Sequence, residues 1–144
     1  MSRPFEGLRV IDLTHVLAGP FCAYQLAVLG AETIKVEPPD EPDQAREGGS
    51  NRDLNERRMG TLYMAQGANK RSVTLDLKQI EGREVPKRLV AGADVVTENY
   101  RSGALAALGL GYEDLSALNP TLVYCSMTGY GQDGPKGGHT AYDQ

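Results

Sequence analysis

Five short runs of aliphatic and β-branched residues recur along the chain: LRVIDLTHV (residues 8–16), ETIKVEP (32–38), SVTLDL (72–77), ADVVTENY (93–100) and TLVYCSMTGY (121–130). Bounded by glycine, proline and polar residues, runs of this length predict β-strands. Between several of them the apolar spacing becomes helical. PFCAYQLAVLG opens on Pro20, which suits a first helical turn, and closes on Gly30, which suits a residue just past a helix end. QIEGREVPKRLVAGA gathers Ile80, Val85, Leu89 and Val90 near one face; Pro86 weakens its middle or marks its true start. GALAALGL and YEDLSALN predict two short helices before the last strand.

Strand followed by helix, repeated, predicts an α/β fold: an open parallel sheet with helices on both faces. The segments VID and ADVV are apolar almost without a break, as strands covered on both sides require. From Glu37 to Gly60 the pattern turns polar (EPPDEPDQAREGGSNRDLNERRMG), which reads as one long loop of the kind that is functional or disordered. No internal repeat or domain boundary interrupts the 144 residues.

Composition narrows the function. The net charge of −4 and the absence of a basic stripe with interleaved aromatics argue against nucleic acid and anionic membranes. No apolar stretch approaches the length of a membrane span, and the start MSRPFEGLRV has no secretory apolar core, so a cytoplasmic protein is expected. Cys22 and Cys125 stand far apart and outside any C-x-x-C, which fits two buried thiols in a reducing compartment better than a zinc site or a disulfide scaffold. His15 and His139 have no acidic neighbours at ligand spacing, so no metal is expected.

Gly129, Gly131 and Gly134 spell G-x-G-x-x-G, the spacing of a dinucleotide loop. That loop should follow the first strand and open a helix. Here it follows the fifth, and Pro135, Gly137 and Gly138 come next, so no NAD site is expected. The first strand-to-helix turn, DLTHVLAGP, carries one glycine, Gly19; Glu37 closes the second strand where a ribose-binding acid would sit. Ligands of open α/β sheets nevertheless bind beyond the carboxyl ends of the strands, where helix amino termini favour anions.

Three segments place candidate chemistry at that rim. His15 follows the first strand and either faces a ligand or is a satisfied structural histidine. NKRSVTLDLK sets Lys70, Arg71 and Lys78 around a strand, as a phosphate-rich ligand would want or as a solvated edge would tolerate. ENYRSG offers an amide in Asn99, a ring in Tyr100 and a guanidinium in Arg101.

Taken in order, GLRVIDLTHVLAGPFCAYQLAVLGAETIKVEPP, NKRSVTLDLK, the stretch from ADVVTENYRSG to SMTGYGQDGP, and AYDQ resemble the family III CoA-transferases, a group that includes carnitine, formyl and oxalate CoA-transferases and the α-methylacyl-CoA racemases. The resemblance implies a Rossmann-like large domain, with residues 1–144 forming its amino-terminal portion and the linker and small domain lying outside them. It implies coenzyme A as acyl-CoA substrate, a carboxylic acid as second substrate, and an interlocked homodimer. His15, Val16 and Ala18 match the segment lining the CoA and acyl site. Leu75 and Lys78 match a segment near the adenine and its phosphates, with Arg71 as a further phosphate partner, and Asn99, Tyr100 and Arg101 match another CoA-contacting turn. Tyr142 and Asp143 match the aromatic-acidic pair bordering the reaction centre. TGYGQDGP becomes a turn whose glycines supply positive φ.

The implied chemistry is attack of an aspartate carboxylate on the thioester, leading to an aspartyl-CoA thioester. Three departures matter. Leu17 stands where formyl and oxalate transferases carry glutamine, which argues against that small-acid specificity, and Tyr142 stands where racemases place a histidine, which favours a transferase over the alternative of a racemase; a non-catalytic CoA-binding fragment is the other alternative. The nucleophilic aspartate is expected past Gln144.

Overall fold

The computed structural model describes residues 2–142. In chain order its elements are β1 (Arg9–Asp12), α1 (Ala18–Val28), β2 (Glu32–Glu37), α2 (Arg52–Glu56), α3 (Thr61–Gly67), β3 (Lys70–Thr74), α4 (Ile80–Val90), β4 (Val95–Glu98), α5 (Ala104–Ala107), α6 (Tyr112–Leu118) and β5 (Val123–Ser126). The five strands make one sheet, all parallel, in the order β3-β2-β1-β4-β5. The expected α/β architecture is therefore present. The order reverses at β1, so the crevice between the carboxyl ends of β1 and β4 is the switch point at which such sheets bind ligands.

Side chains alternate across a strand, and here the two faces differ in chemistry. One face sends Ile11, Val36 and Val96 into an apolar core closed by Val90 of α4, Leu105 of α5, and Leu110 and Leu115 at α6. The other carries Asp12, Thr33, Lys35 and Thr97, all buried. Thr14 Oγ1 and Thr97 Oγ1 both lie against Asp12 Oδ1, at 2.5 and 3.4 Å. Lys70 Nζ joins Asp12 Oδ2 (2.8 Å) to the Pro20 carbonyl (2.9 Å), which puts this polar face beneath α1. Helix α1 comes close because the residues it buries are small: Gly19, Pro20, Ala23 and Ala27. A Cβ added at Gly19 would lie 2.4 Å from the Thr14 Cβ.

Several local expectations need correction. The polar stretch 37–60 is not a bare loop. It forms a 3-10 turn at Gln44–Glu47 and then α2, whose start is capped by Asn51 accepting from the Leu54 amide (3.1 Å). Helix α3, which no apolar period announced, follows it. Pro86 neither starts nor ends α4, which runs through it. After β5 the glycines do act as turn residues: Gly131 and Gly134 take φ of 85° and 90°, and no helix follows them among the described residues.

Candidate functional site

Two loops meet at the switch point. After β1 the chain passes through His15, Val16 and Leu17 into α1; after β4 it passes through Asn99, Tyr100 and Arg101 towards α5. The Asn99 amide ties them together twice: it accepts from the His15 backbone N–H and donates to the His15 carbonyl, both at 2.8 Å. His15 Nε2 also lies 2.8 Å from the Tyr100 hydroxyl, with the rings edge to face at 5.0 Å. Burial, reinforced by the positive charge of Lys35, lowers the His15 pKa below its ordinary 6.5, so the imidazole is neutral at neutral pH. Burial, with help from Glu98, pushes the Tyr100 hydroxyl up to about 12, so it keeps its proton. Among the candidate positions the structure thus joins His15, Asn99 and Tyr100 into one rigid corner.

Val16 adopts φ 70°, a left-handed conformation that a β-branched residue takes only when its surroundings impose it. The constraint is visible. Asp43, from the polar stretch after β2, accepts from the Val16 amide at 3.0 Å and from the Ala45 amide at 3.0 Å through the same Oδ1. Its Oδ2 pairs with Lys35 Nζ (3.1 Å), and Lys35 in turn donates to the Thr14 carbonyl (2.7 Å). Both charged side chains of that pair are 1% exposed. Removing one partner would strand a charge in the interior, so the pair fixes loop shape far more firmly than a surface bridge would.

This scaffold continues outward. Glu37 holds Arg46 through Nε (2.8 Å) and Nη2 (2.6 Å), and Arg46 stacks over the Tyr63 ring at 3.7 Å. Burial alone would raise the Glu37 pKa; the Arg46 hydrogen bond and the Asp43 amide outweigh it and hold the carboxyl below its ordinary value. Glu37 is therefore occupied by arginine, and the ribose-binding position read from its place in the sequence is taken. Lys70, read as a phosphate partner, is instead committed to Asp12, with 2% of its side chain exposed.

Helix α1 begins without a side-chain cap, so the helix leaves its first amides, at Ala18 and Gly19, without an intrahelical partner. Leu17, 53% exposed, stands at its mouth. A void of about 10 Å³ among Val16, Pro20, Lys35, Tyr63, Gln66 and Lys70 is too small for an organic ligand. Leu75 and Lys78 follow β3 at the far side of the same rim; Leu75 packs on the core, and Lys78 is 3.8 Å from Glu41 in solvent. Arg71 lies apart. Its guanidinium pairs with Glu32 (2.9 Å) and lines a polar depression of about 320 Å³ with Arg3, Gly30 and Asn69 at the amino edge of the sheet. Tyr142 is 73% exposed; Asp143 lies outside the described residues. No group of metal-ligating side chains forms among the described residues.

Three residues that shape the corner from below, Asp12, Lys35 and Asp43, were not legible as site residues, and Lys70 was legible only in a different role. For Asp12 and Lys35 the sequence signal is a charged residue inside an otherwise apolar strand, as in VID and TIKVE; Asp43, in the polar stretch after β2, carries none.

Comparison with known proteins adds the family. The model of CoA-transferase family III matches residues 5–144. The chain is 45% identical over 141 residues to human succinyl-CoA:glutarate CoA-transferase, covering 98% of this chain and 32% of that protein. It is 44% identical over 140 residues to acetyl-CoA:oxalate CoA-transferase from Acetobacter aceti, covering 97% and 35%. Among solved structures, a CaiB/BaiF family protein from Brucella suis superposes with a TM-score of 0.88 at 42% identity, covering 99% of this chain and 38% of that one. Rv3272 from Mycobacterium tuberculosis superposes at 0.87 with 39% identity, over 98% and 38%. The chain spans about a third of the length of these relatives. With its parallel sheet, its clasped switch-point corner and a match along nearly all of its length, the chain belongs to CoA-transferase family III.

Proposed function

We propose that residues 1–144 form the amino-terminal portion of the large CoA-binding domain of an acyl-CoA:carboxylate CoA-transferase, and that the His15–Asn99–Tyr100 corner cradles the CoA thioester. The observation carrying this reading is the double hydrogen bond that locks the His15 backbone at the sheet's switch point. It holds the uncapped start of α1 against the crevice, where the Ala18 and Gly19 amides suit a phosphate or a developing oxyanion. Val16 and Ala18 line the acyl side. Arg101 and Lys78 supply cations for the CoA phosphates, while Arg71, held by Glu32 at the amino edge of the sheet, is too far from this rim to do so.

In this reading a carboxylate attacks the thioester carbon and expels CoA thiolate, leaving a mixed anhydride. The thiolate returns to the enzyme's acyl carbon, releases the first carboxylic acid and leaves an aspartyl-CoA thioester. The acceptor acid then runs the same steps in reverse. The attacking aspartate is expected past Gln144, with Tyr142 and Asp143 bordering the centre. The working enzyme is a homodimer. Succinyl-CoA and glutarate, the pair in the human relative's name, are the first substrates to try.

Calorimetry of the purified chain with CoA and, in parallel, with NAD tests the reading. Saturable heat with CoA that Asn99→Ala weakens is expected; binding of NAD without CoA would overturn it. Thioester exchange by residues 1–144 alone would refute the placement of the nucleophile beyond them.

A further inference from the structure

Cys22 and Cys125 are separated by most of the chain, yet the fold brings them to one place. Cys125 sits on β5 in register with Thr97 of β4. Thr97 points to the face of the sheet that carries Asp12, since its hydroxyl reaches the Asp12 carboxylate. In a parallel sheet, residues in register share a face, so Cys125 points to that same face, the one beneath α1. Cys22 lies on α1, one turn beyond Gly19 and beside Ala23, on the flank of the stripe that packs on the sheet. Both side chains are partly accessible, and they interact with each other.

We propose that Cys22 and Cys125 form a peroxide-responsive thiol pair that closes to a disulfide across the β4–β5 side of the switch-point crevice. The step balances with hydrogen peroxide as the oxidant. The Cys22 thiolate attacks one peroxide oxygen, the O–O bond breaks, and a sulfenic acid and hydroxide result. The Cys125 sulfur then attacks the Cys22 sulfur, forming the S–S bond and expelling water. Overall, two thiols and one peroxide give one disulfide and two waters. A small dithiol reverses it. Cys125 suits the resolving role because burial, and then Cys22 itself, raise its pKa and keep it protonated until the first oxidation has occurred.

The location gives the bond a consequence. Helix α1 carries the Ala18–Gly19 amides at one side of the crevice. Strand β5 leads into Ser126, which hydrogen-bonds Glu98 at the base of the Asn99 loop. A disulfide would tie the two sides together. Its effect on CoA rests on the function proposed above; its formation does not.

The test uses the purified full-length protein, titrated with hydrogen peroxide and read by thiol counting and intact mass. Loss of both thiols with a mass decrease of two hydrogens, restored by dithiothreitol, is expected. Cys22→Ser should then leave Cys125 unoxidised at the same dose, and Cys125→Ser should leave Cys22 as a trappable sulfenic acid. A mass gain from oxygen on either cysteine of the unmodified protein, cross-linking between chains only, or two thiols that survive the titration would each overturn the proposal. A disulfide that forms without changing CoA affinity would leave the pair standing and count against the CoA site alone.

Discussion

Asn99 and His15 exchange two hydrogen bonds of 2.8 Å although 84 residues separate them. The first joins the Asn99 carbonyl oxygen to the His15 amide, the second its NH₂ group to the His15 carbonyl. One side chain thereby satisfies the whole backbone polarity of a residue that no strand or helix serves.

Asn99→Ala should remove both bonds and leave a half-buried backbone amide and carbonyl without partners. A loss of about 1–3 kcal/mol in unfolding free energy is expected, read by urea denaturation. Asn99→Asp should recover only the bond to the His15 amide and fall between the two. Equal stability of all three proteins would show that the clasp is not structural.

His15 makes stability depend on pH. Its folded-state pKa lies below the ordinary 6.5, so the unfolded chain binds the proton more tightly. Stability should therefore be unaffected by His15 above about 6.5, fall as pH drops from there through the folded-state value, and level off below it. His15→Gln should flatten this part of the curve. A His15→Gln protein whose stability falls with pH as steeply as the original would refute the assignment.

Lys70→Met should strand the Asp12 carboxylate in the interior, with its aspartate 0% exposed. Breaking a buried pair in this way costs about 3–5 kcal/mol, and Asp12→Asn added to Lys70→Met should restore part of it. Arg71→Ala, one residue on but in solvent, should leave stability nearly unchanged. Denaturation midpoints of the four proteins check this.

Gly19→Ala should be poorly tolerated for a steric reason. The new methyl would sit 2.4 Å from the Thr14 Cβ, on the buried side of α1. Overpacking of this kind costs about 1–3 kcal/mol, and Thr14→Ser should relieve part of it by removing a methyl group. Thermal unfolding of the single and double variants reads both effects.

The strands were legible because aliphatic runs such as VID and ADVV have no alternative but burial, and their parallel arrangement followed from the helices between them. The segments holding His15, Asn99 and Tyr100 were legible as rim residues because they directly follow strands. The polar scaffold was not. Asp43 meets Lys35 and the Val16 amide only once the stretch after β2 folds back, and neither partner has a periodic signature. The same holds for residues 44–56, whose short helical turns depend on Glu37 gripping Arg46 and on the Asn51 cap. Cys22 and Cys125 read as two isolated thiols for the equivalent reason: register between β4 and β5, not spacing along the chain, makes them neighbours.

The long reach of the Asn99 clasp also sets a schedule for biosynthesis. A ribosome releases β1 and α1 early, but the loop joining them can take its final shape only after β4 has emerged and docked beside β1. Until then the nascent chain carries the histidine without its mould.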